Sequence, residues 1–470
     1  MLFNSPEFLF AFLPVFLIIY FIVASQMKNT VIFGASIIFC LAMSAALGAI
    51  LVLSVLVNHY LAWMIMAAPG RRKTFVLMIG LAVNVLPLIY YKYIVFLLTV
   101  AQDLLTVMGI AFVRPGIDPE LPIGISFFTF QAVSYLADVY MGRVRPARRL
   151  IDFGMYHSCF PQLIAGPIVR YEEIQAQVHR RYHRLDDVYD GVVQFCFGLA
   201  KKAILADPMG VVADRIFGQQ AGTLDFASAW VGIVAYSLQI YLDFSAYSDM
   251  AIGLGRILGF SYPENFNQPY RSLSVTEFWR RWHMTLSRWF RDYVYAPLGG
   301  NRNGKVRMLR NLAAVFFLCG LWHGAAYTFV VWGLYHGMLL IVERLIRGAA
   351  WLKPPALIAW TYTQAAVMIG WVFFRAKDMV QAMDYLCAMF GLHGLNLYSP
   401  LVTSTLTADK VTYMTVAWLV ALIPHDIVTR SEGGRYSFAS AHGLASIVVL
   451  LLAVVSISLG GFTPFIYFKF

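Results

Sequence analysis

Charged side chains are scarce in this chain. Asp, Glu, Lys and Arg make up 13% of its 470 residues, whereas hydrophobic residues make up 60%. A water-soluble domain carries roughly 25% charged residues, so this chain has too few of them to cover its surface in water. We therefore predict an all-α polytopic membrane protein. At about 20 residues per crossing, its length allows roughly ten to thirteen crossings or re-entrant segments.

The chain also lacks the motifs of metal and nucleotide chemistry. It contains no His-Glu-x-x-His motif, no cluster of cysteines with histidines and no phosphate-binding glycine loop. We therefore expect no bound metal, no bound cofactor and no nucleotide hydrolysis. Its five cysteines lie in apolar surroundings without a Cys-x-x-Cys pair, which is typical of buried small side chains rather than of a disulfide framework.

Positive charge exceeds negative charge, with 36 Lys and Arg against 25 Asp and Glu. The basic groups lie in short loops between apolar runs, which argues against nucleic-acid binding. Lys and Arg favour the cytoplasmic side of a membrane. An N-terminus outside the cytoplasm puts Lys28, 71–73, 143–149 and 170–190 on the cytoplasmic side together. We therefore predict that orientation, with anionic membrane lipids as partners of the basic loops.

Apolar runs follow one another along most of the chain and predict its membrane segments. The short run 160–167 is rich in Pro and Gly, so it predicts a re-entrant or covered hairpin. Lys201 and Lys202, at the end of another short run, are expected to extend to the membrane interface. The predicted apolar segments are 8–23, 31–46, 50–66, 75–100, 121–140, 192–205, 230–260, 311–341, 356–374, 379–392, 411–424 and 444–459.

Two acidic residues, Asp243 and Asp249, fall inside the predicted segment 230–260. Acidic groups in a membrane segment are costly and usually serve a purpose. In one interpretation they hydrogen-bond to neighbours and hold an irregular helix in place. In the other they take a direct part in chemistry.

The stretch 270–311 is too polar for a membrane crossing. Trp279 and His283 share one face of a possible helix, which predicts an interfacial amphipathic helix. The basic groups indicate either anchoring on anionic lipid or a cradle for a phosphorylated cytoplasmic donor such as coenzyme A. Nine cations face only Glu277 and Asp292: Arg271, Arg280, Arg281, Arg288, Arg291, Arg302, Lys305, Arg307 and Arg310.

His323 lies in the apolar sequence Leu-Trp-His-Gly. Burial favours a neutral imidazole, which can remove a proton from a hydroxyl or thiol, and Gly324 is expected to leave space for a substrate beside the ring. A packed structural histidine is the alternative. His283 could bind a phosphate, orient a substrate or pack at the interface. His336 is placed poorly to share a metal with His323.

Several motifs in order resemble the membrane-bound O-acyltransferase (MBOAT) family, in particular its bacterial branch that includes alginate O-acetylation proteins. The motifs that carry this resemblance are the run 274–287, Gly-Gly-Asn-Arg at 299–302 and Gly-Leu-Trp-His-Gly at 320–324. Supporting matches are 121–127, 160–167, 243–250 and the aromatic end 464–470. The resemblance extends over essentially the whole chain.

The resemblance implies one integral-membrane domain, 1–470, with a catalytic core at about 121–346. The family fold is a ring of tilted helices, with re-entrant and interfacial helices, around a central tunnel. His323 matches the family's catalytic histidine and His283 its second signature histidine. Further donor-binding or tunnel-lining candidates are Trp279, Arg280, Arg281, Trp282, Asn301, Arg302, Trp322, Asp243 and Asp249.

The resemblance also implies an O-acetyltransferase of the bacterial inner membrane. It would move acetyl groups, with acetyl-CoA as donor substrate, to an exported polysaccharide of the alginate or cellulose type. Its expected partners are a periplasmic SGNH-type acetyltransferase and the polysaccharide synthesis machinery. Alternatives are a different acceptor, as in teichoic-acid D-alanylation or protein and lipid acylation, and a transporter that uses Asp243, Asp249 and His323 as a proton relay.

Overall fold

The computed structural model describes residues 2–220, 222–302, 304–346, 354–423, 441–460 and 463–466. Throughout these ranges the regular structure is helical and no strand occurs, so the predicted all-α fold is confirmed. The chain divides into two compact units, residues 1–183 with 258–262 and residues 184–257 with 263–470. Residues 467–470 of the predicted aromatic end lie outside the described part.

The first unit contains nine described α-helices. A π-helical turn at Phe8–Phe12 precedes the first of them, and another at Ile89–Tyr93 joins the fourth to the fifth. In the predicted hairpin region, only a four-residue helix forms. The helices are α1 Leu13–Ile22, α2 Lys28–Leu41, α3 Ala45–Ala67, α4 Gly70–Leu88, α5 Ile94–Val107, α6 Ile125–Met141, α7 Leu150–Ser158, α8 Phe160–Leu163 and α9 Tyr171–His179.

The second unit contains twelve described α-helices. A π-helical turn at Lys201–Ala206 joins its first two helices, and its third helix has 32 residues. The helices are α10 Leu185–Ala200, α11 Asp207–Phe217, α12 Phe226–Ile257, α13 Val275–Arg281, α14 Met284–Phe290, α15 Lys305–His323, α16 Tyr327–Ile346, α17 Ala356–Arg375, α18 Met379–Met389, α19 Pro400–Thr405, α20 Ala408–Leu422 and α21 Ala441–Gly460.

Four described helical stretches are long and apolar enough to cross a membrane. They are Ala45–Ala67, Gly70–Val107, Tyr327–Ile346 and Ala356–Arg375, and shorter apolar helices cover Phe8–Ile22 and Gly443–Leu459. Apolar side chains of these helices are widely exposed, for example Ile22 at 78%. Such helices suit a multi-pass membrane protein. The predicted number of ten to thirteen crossings or re-entrant segments also counts shorter segments than these four, and it stays a prediction.

Helices α15 and α16 cross closely at two glycines. A Cβ atom on Gly320 would overlap the carbonyl oxygen of Phe329, and one on Gly333 would overlap that of Phe316. Small residues let helix backbones approach in this way. The crossing brings the end of α15, where His323 lies, against the first turns of α16. The predicted single segment 311–341 is therefore two helices, separated at 324–326.

The predicted interfacial helix around Trp279 and His283 is wrong. The chain breaks between α13 and α14, where His283 takes a left-handed conformation with φ of +42°. Backbone hydrogen bonds of 2.9 Å tie the segment 265–267 to residues on both sides of this break. Trp279 and His283 are 6% and 0% exposed. Tertiary contacts thus replace a continuous helix and bury the face that was expected to meet the interface.

Candidate active site

An aromatic cage surrounds His323, the last residue of α15. The imidazole makes edge contacts with the rings of Trp322, Trp332 and Phe374 at centroid distances of 4.8, 4.9 and 5.1 Å. The three rings come from α15, α16 and α17, and His323 is 4% exposed. Three helices therefore hold the ring in a desolvated setting, as its apolar flanks predict.

The space beside Gly324 is not open to a substrate. A Cβ atom at this glycine would overlap the ring of Phe329, so the ring occupies the room that the missing side chain leaves. The expectation that Gly324 makes space for a substrate is therefore wrong. The glycine instead lets α16 begin close to the end of α15, and a substrate must reach His323 from another direction.

His283 is fully buried, and its ring orientation is fixed by Asn265. The Nδ1 atom of His283 lies 2.9 Å from the Oδ1 atom of Asn265. The hydroxyl of Thr285 donates to the same oxygen at 2.9 Å, while the Nδ2 atom of Asn265 donates to Ser248. Since Oδ1 of Asn265 accepts, Nδ1 of His283 must carry the proton.

The protonation of His283 follows from its burial. Desolvation lowers the pKa of His283 to about 3, so the imidazole is neutral at physiological pH. With the proton on Nδ1, the Nε2 atom holds a lone pair, and it has no hydrogen-bond partner among the described residues. Of the three roles left open for His283, charge-based phosphate binding is thus disfavoured, whereas accepting a proton or hydrogen bond from a substrate suits this tautomer.

Trp322 contacts both His323 and His283. Its ring is 4.8 Å from that of His323 and 5.8 Å from that of His283. Trp279 joins the same cluster through Trp332, at 5.6 Å. The structure therefore brings together four of the candidates that the sequence identified, although they come from two helices, α13 and α15, and the α13–α14 break.

Two residues of this cluster were missed by the sequence analysis. Trp332 is fully buried and contacts His323, Trp279 and His336. The spacing of four residues between Trp332 and His336 places both on one helix face. This spacing could have identified Trp332 from the sequence. Asn265 had a weaker signal, an amide in a short polar stretch between apolar segments.

Replacing Asn265 by aspartate is expected to make activity depend on pH. A carboxylate beside Nδ1 stabilises the charged imidazole, so it raises the pKa of His283 from about 3 toward the assay range. Below the raised pKa the Nε2 atom is protonated, and the rate should fall roughly tenfold per pH unit as pH decreases. Rates between pH 5 and 8 would measure this, with Asn265→Gln as the uncharged control. A flat profile for Asn265→Asp would contradict a role for the His283 lone pair.

The other aromatic and basic candidates lie away from His323. Trp282 packs against Phe266 and Trp371, with centroids at 5.1 and 4.9 Å. Arg281 forms an ion pair with Glu277 at 2.9 Å. Arg280 is exposed on α13. Trp282 and Arg281 thus have structural contacts, while Arg280 remains accessible to a ligand.

Asn301 and Arg302 precede the opposite end of α15 from His323. The Oδ1 atom of Asn301 accepts hydrogen bonds from Tyr295 at 2.5 Å and Arg344 at 3.1 Å, and Arg302 is exposed. The 19 residues of α15 separate its two ends by about 27 Å. A molecule held at Arg302 can therefore reach His323 only through a long extended arm.

Asp249 lines a cavity of about 390 Å³ in the second unit. Its carboxylate pairs with Lys201, and Gln194 donates to it at 3.3 Å. Asn265, which orients His283, lines the same cavity. The cavity therefore places an ion pair and an amide near His283. Its apolar wall includes Val416, Val420, Val449 and Leu452.

Asp243 forms a buried ion pair with Lys202. The Nζ atom of Lys202 lies 2.7 Å from Asp243 and 2.7 Å from Asp207, and Lys202 and Asp243 side chains are each 2% exposed. The other oxygen of Asp243 accepts from the backbone N–H of Ile466 at 2.6 Å. These contacts favour the structural interpretation of Asp243. Neither Lys202 nor Lys201 extends to the interface as expected, because a carboxylate holds each of them inside.

No group of three metal-binding side chains occurs within the described ranges.

Exposed cations at the start of α15 could hold the phosphates of a donor substrate. Lys305 and Arg307 are exposed there and make no ion pair with a carboxylate in the described part of the chain.

Comparison with known proteins identifies the family of this chain. Residues 145–375 match the MBOAT, membrane-bound O-acyltransferase family. The chain is 38% identical to the probable alginate O-acetylase AlgI of Azotobacter vinelandii, over the whole length of both proteins. It is 37% identical to the peptidoglycan O-acetyltransferase of Helicobacter pylori, over 84% of this chain and 81% of that protein. With the teichoic acid D-alanyltransferase of Bacillus subtilis it shares 30% identity over 54% of this chain and 69% of that protein. The chain therefore belongs to the membrane-bound O-acyltransferase family and is an O-acyltransferase.

Proposed function

We propose that the protein is an inner-membrane O-acetyltransferase that takes acetyl groups from acetyl-CoA and delivers them for O-acetylation of an exported polysaccharide. The observation that carries this proposal is the packing of His323 and His283 on the same tryptophan, Trp322, inside a buried aromatic cluster. Relatives named as alginate and peptidoglycan O-acetylating proteins support acetyl as the group and a polysaccharide as the final acceptor.

In this proposal His323 acts on the acceptor. Its imidazole removes the proton of a hydroxyl, the hydroxyl oxygen forms a bond to the acetyl carbon, and the thioester C–S bond breaks. The thiolate of coenzyme A leaves with the electron pair and takes up a proton. In a two-step version, His323 first accepts the acetyl group and then passes it to the hydroxyl.

His283 has a supporting role in the same reaction. Its Nε2 lone pair, set by Asn265, can accept a hydrogen bond from a substrate group next to Trp322. The neutral ring carries no positive charge that would attract the phosphates of the donor. We therefore assign orientation of the substrate to His283.

The exposed cations around the start of α15 suit the phosphate groups of coenzyme A. Arg302, Lys305 and Arg307 are exposed there, and guanidinium groups bind phosphate oxygens well. Coenzyme A carries its thioester at the end of a long flexible arm. This arm can run from the cations along α15 toward His323.

The charge pattern supports the proposed localisation, and the proposed partners are those that the family resemblance implies. The basic loops favour a periplasmic N-terminus in the bacterial inner membrane. A periplasmic SGNH-type acetyltransferase would complete the transfer, alongside the polysaccharide synthesis machinery. The Bacillus subtilis relative is named as a teichoic acid D-alanyltransferase. Transfer of a different acyl group to a different acceptor is therefore the second candidate function.

The test is transfer from radiolabelled acetyl-CoA by the purified protein in lipid nanodiscs, with and without the periplasmic partner. We expect the wild-type protein to release labelled acetyl or to pass it on. The variant Arg302→Gln/Arg307→Gln should raise the KM for acetyl-CoA roughly tenfold and leave kcat nearly unchanged. The control Arg71→Gln/Arg72→Gln removes two exposed arginines elsewhere and should leave KM unchanged. No turnover even with the partner present would contradict acetyl-CoA as donor.

A further inference from the structure

A strongly basic cavity of about 520 Å³ lies in the first unit. Three separate parts of the chain form it: the connection between α1 and α2, the residues just before α7, and the end of α9. Cations from all three parts line the cavity: Lys28, Arg148, Arg149, Arg180 and Arg181. The five positive charges thus converge on one concave space although up to about 150 residues separate them in sequence.

One carboxylate, that of Asp152, faces these cations among the lining residues. Its Oδ1 atom accepts a hydrogen bond from Asn29 at 2.7 Å, and none of the five cations forms an ion pair with a carboxylate in the described part of the chain. Arg148, Arg149 and Arg180 are exposed, whereas Lys28 and Arg181 are half-buried, and like charges that line one cavity repel one another. The cavity therefore has an excess of positive charge that a bound anion would neutralise.

Lys28 and Arg181 each lie over an aromatic ring. The Nζ atom of Lys28 lies 4.6 Å from the ring centroid of Tyr20, and the guanidinium of Arg181 lies 4.6 Å from that of Phe260. Ring contacts fix a cation without using up its N–H donors. The Nη1 atom of Arg181 is buried and has no hydrogen-bond partner among the described residues. At least one donor is thus oriented but unsatisfied.

Positive charge adds to the effect of burial on the pKa of two groups that line the cavity. Burial, and then the charge of Arg181, lowers the pKa of Lys28. Burial, followed by the charges of Lys28 and Arg181, lowers the pKa of His183. Both shifts have the direction that uncompensated positive charge produces.

Orientation in the membrane explains the sign of these charges but not their convergence. Arg71 and Arg72 belong to the same predicted cytoplasmic side, yet they lie at the start of α4 and do not line the cavity. Arginine forks match the oxygens of phosphate groups. We propose that this cavity binds a phosphoryl group, carried either by an anionic phospholipid headgroup or by a soluble phosphate.

The surroundings of Lys28 favour the lipid source. The side chains of Phe21 and Ile22, at the end of α1, are 45% and 78% exposed, and Lys28 lies 5.5 Å from the ring of Phe21. The acyl chains of a lipid can lie along this apolar surface while its headgroup enters the cavity.

The test compares ligand-induced stabilisation of the full-length protein in a neutral detergent. Dioctanoyl phosphatidylglycerol, dioctanoyl phosphatidylcholine and inorganic phosphate are titrated separately at constant ionic strength, and Tm is followed by tryptophan fluorescence. We expect phosphatidylglycerol to raise Tm in a saturable way. Its apparent affinity should be roughly tenfold or more weaker in Arg148→Gln/Arg149→Gln. The matched control Arg71→Gln/Arg72→Gln, which also removes two exposed arginines, should bind like the wild type.

Each outcome decides between the sources or against the site. A response to phosphatidylglycerol alone identifies a lipid headgroup, and an equal response to inorganic phosphate identifies a soluble ligand. If Arg148→Gln/Arg149→Gln does not fold, Lys28→Gln takes its place in the comparison. The proposal is overturned if neither compound gives a saturable rise in Tm, or if the cavity variant and the control variant bind equally well.

Discussion

Replacing His323 by alanine is expected to lower acetyl transfer at least roughly 100-fold, because a positioned base contributes about 10²–10⁴ to a rate. The change removes a neutral ring from an aromatic cage and leaves no unpaired charge, so the protein should still insert and fold. Transfer from radiolabelled acetyl-CoA measures the first expectation. Size-exclusion chromatography and tryptophan fluorescence measure the second.

His336 offers a matched control for this experiment. It is also fully buried, and it contacts Trp332 and Trp279 at 5.3 and 5.2 Å within the same cluster. His336→Ala therefore removes the same group from similar surroundings and should change the rate by a few-fold at most. Full activity in His323→Ala would refute the assignment. Equal losses in both variants would mean that the cluster needs its packing rather than a base at position 323.

The second large effect is expected on stability, at the buried pair of Lys202 and Asp243. Replacing Lys202 by methionine leaves Asp243 and Asp207 facing each other's charge without their shared cation. Removing one partner of a buried ion pair costs about 3–5 kcal/mol. We therefore expect Lys202→Met to lower the free energy of unfolding by about this amount, measured by denaturation in detergent.

The double variant Lys202→Met/Asp243→Leu separates charge from packing. Removing both partners leaves less uncompensated charge, so the double variant should be more stable than Lys202→Met alone. Asp214→Asn is the control, because this residue pairs with Arg375 where both side chains are partly exposed and should change stability by about 1 kcal/mol or less. A Lys202→Met variant as stable as this control would show that the buried pair adds little.

The structure also bears on the transporter alternative. Asp243 is paired with Lys202 and holds the backbone of Ile466, and Asp249 is paired with Lys201. His323 makes ring contacts with Trp322, Trp332 and Phe374. Each of the two acids is thus held by a lysine, and the family of the chain is that of O-acyltransferases rather than transporters.

The sequence by itself determined the class of protein and the position of its main segments. With 13% charged residues, the chain can bury its backbone polar groups in a membrane only as helices, and the apolar runs mark where those helices lie. The run 356–374, for example, corresponds to α17 at Ala356–Arg375. The motif around His323 also identified the family, because a long ordered set of residues is specific where composition is not.

Only the tertiary structure decided how the candidate residues meet. The break at His283 arises from hydrogen bonds to a segment 18 residues earlier, and the ring of Phe329 fills the space that Gly324 leaves. Lys202 is inside because Asp243, 41 residues later in the sequence, pairs with it. Periodicity describes neighbours along the chain, whereas these outcomes depend on groups that are distant in sequence. The basic cavity of the first unit has the same origin, since three distant loops each supply part of its charge.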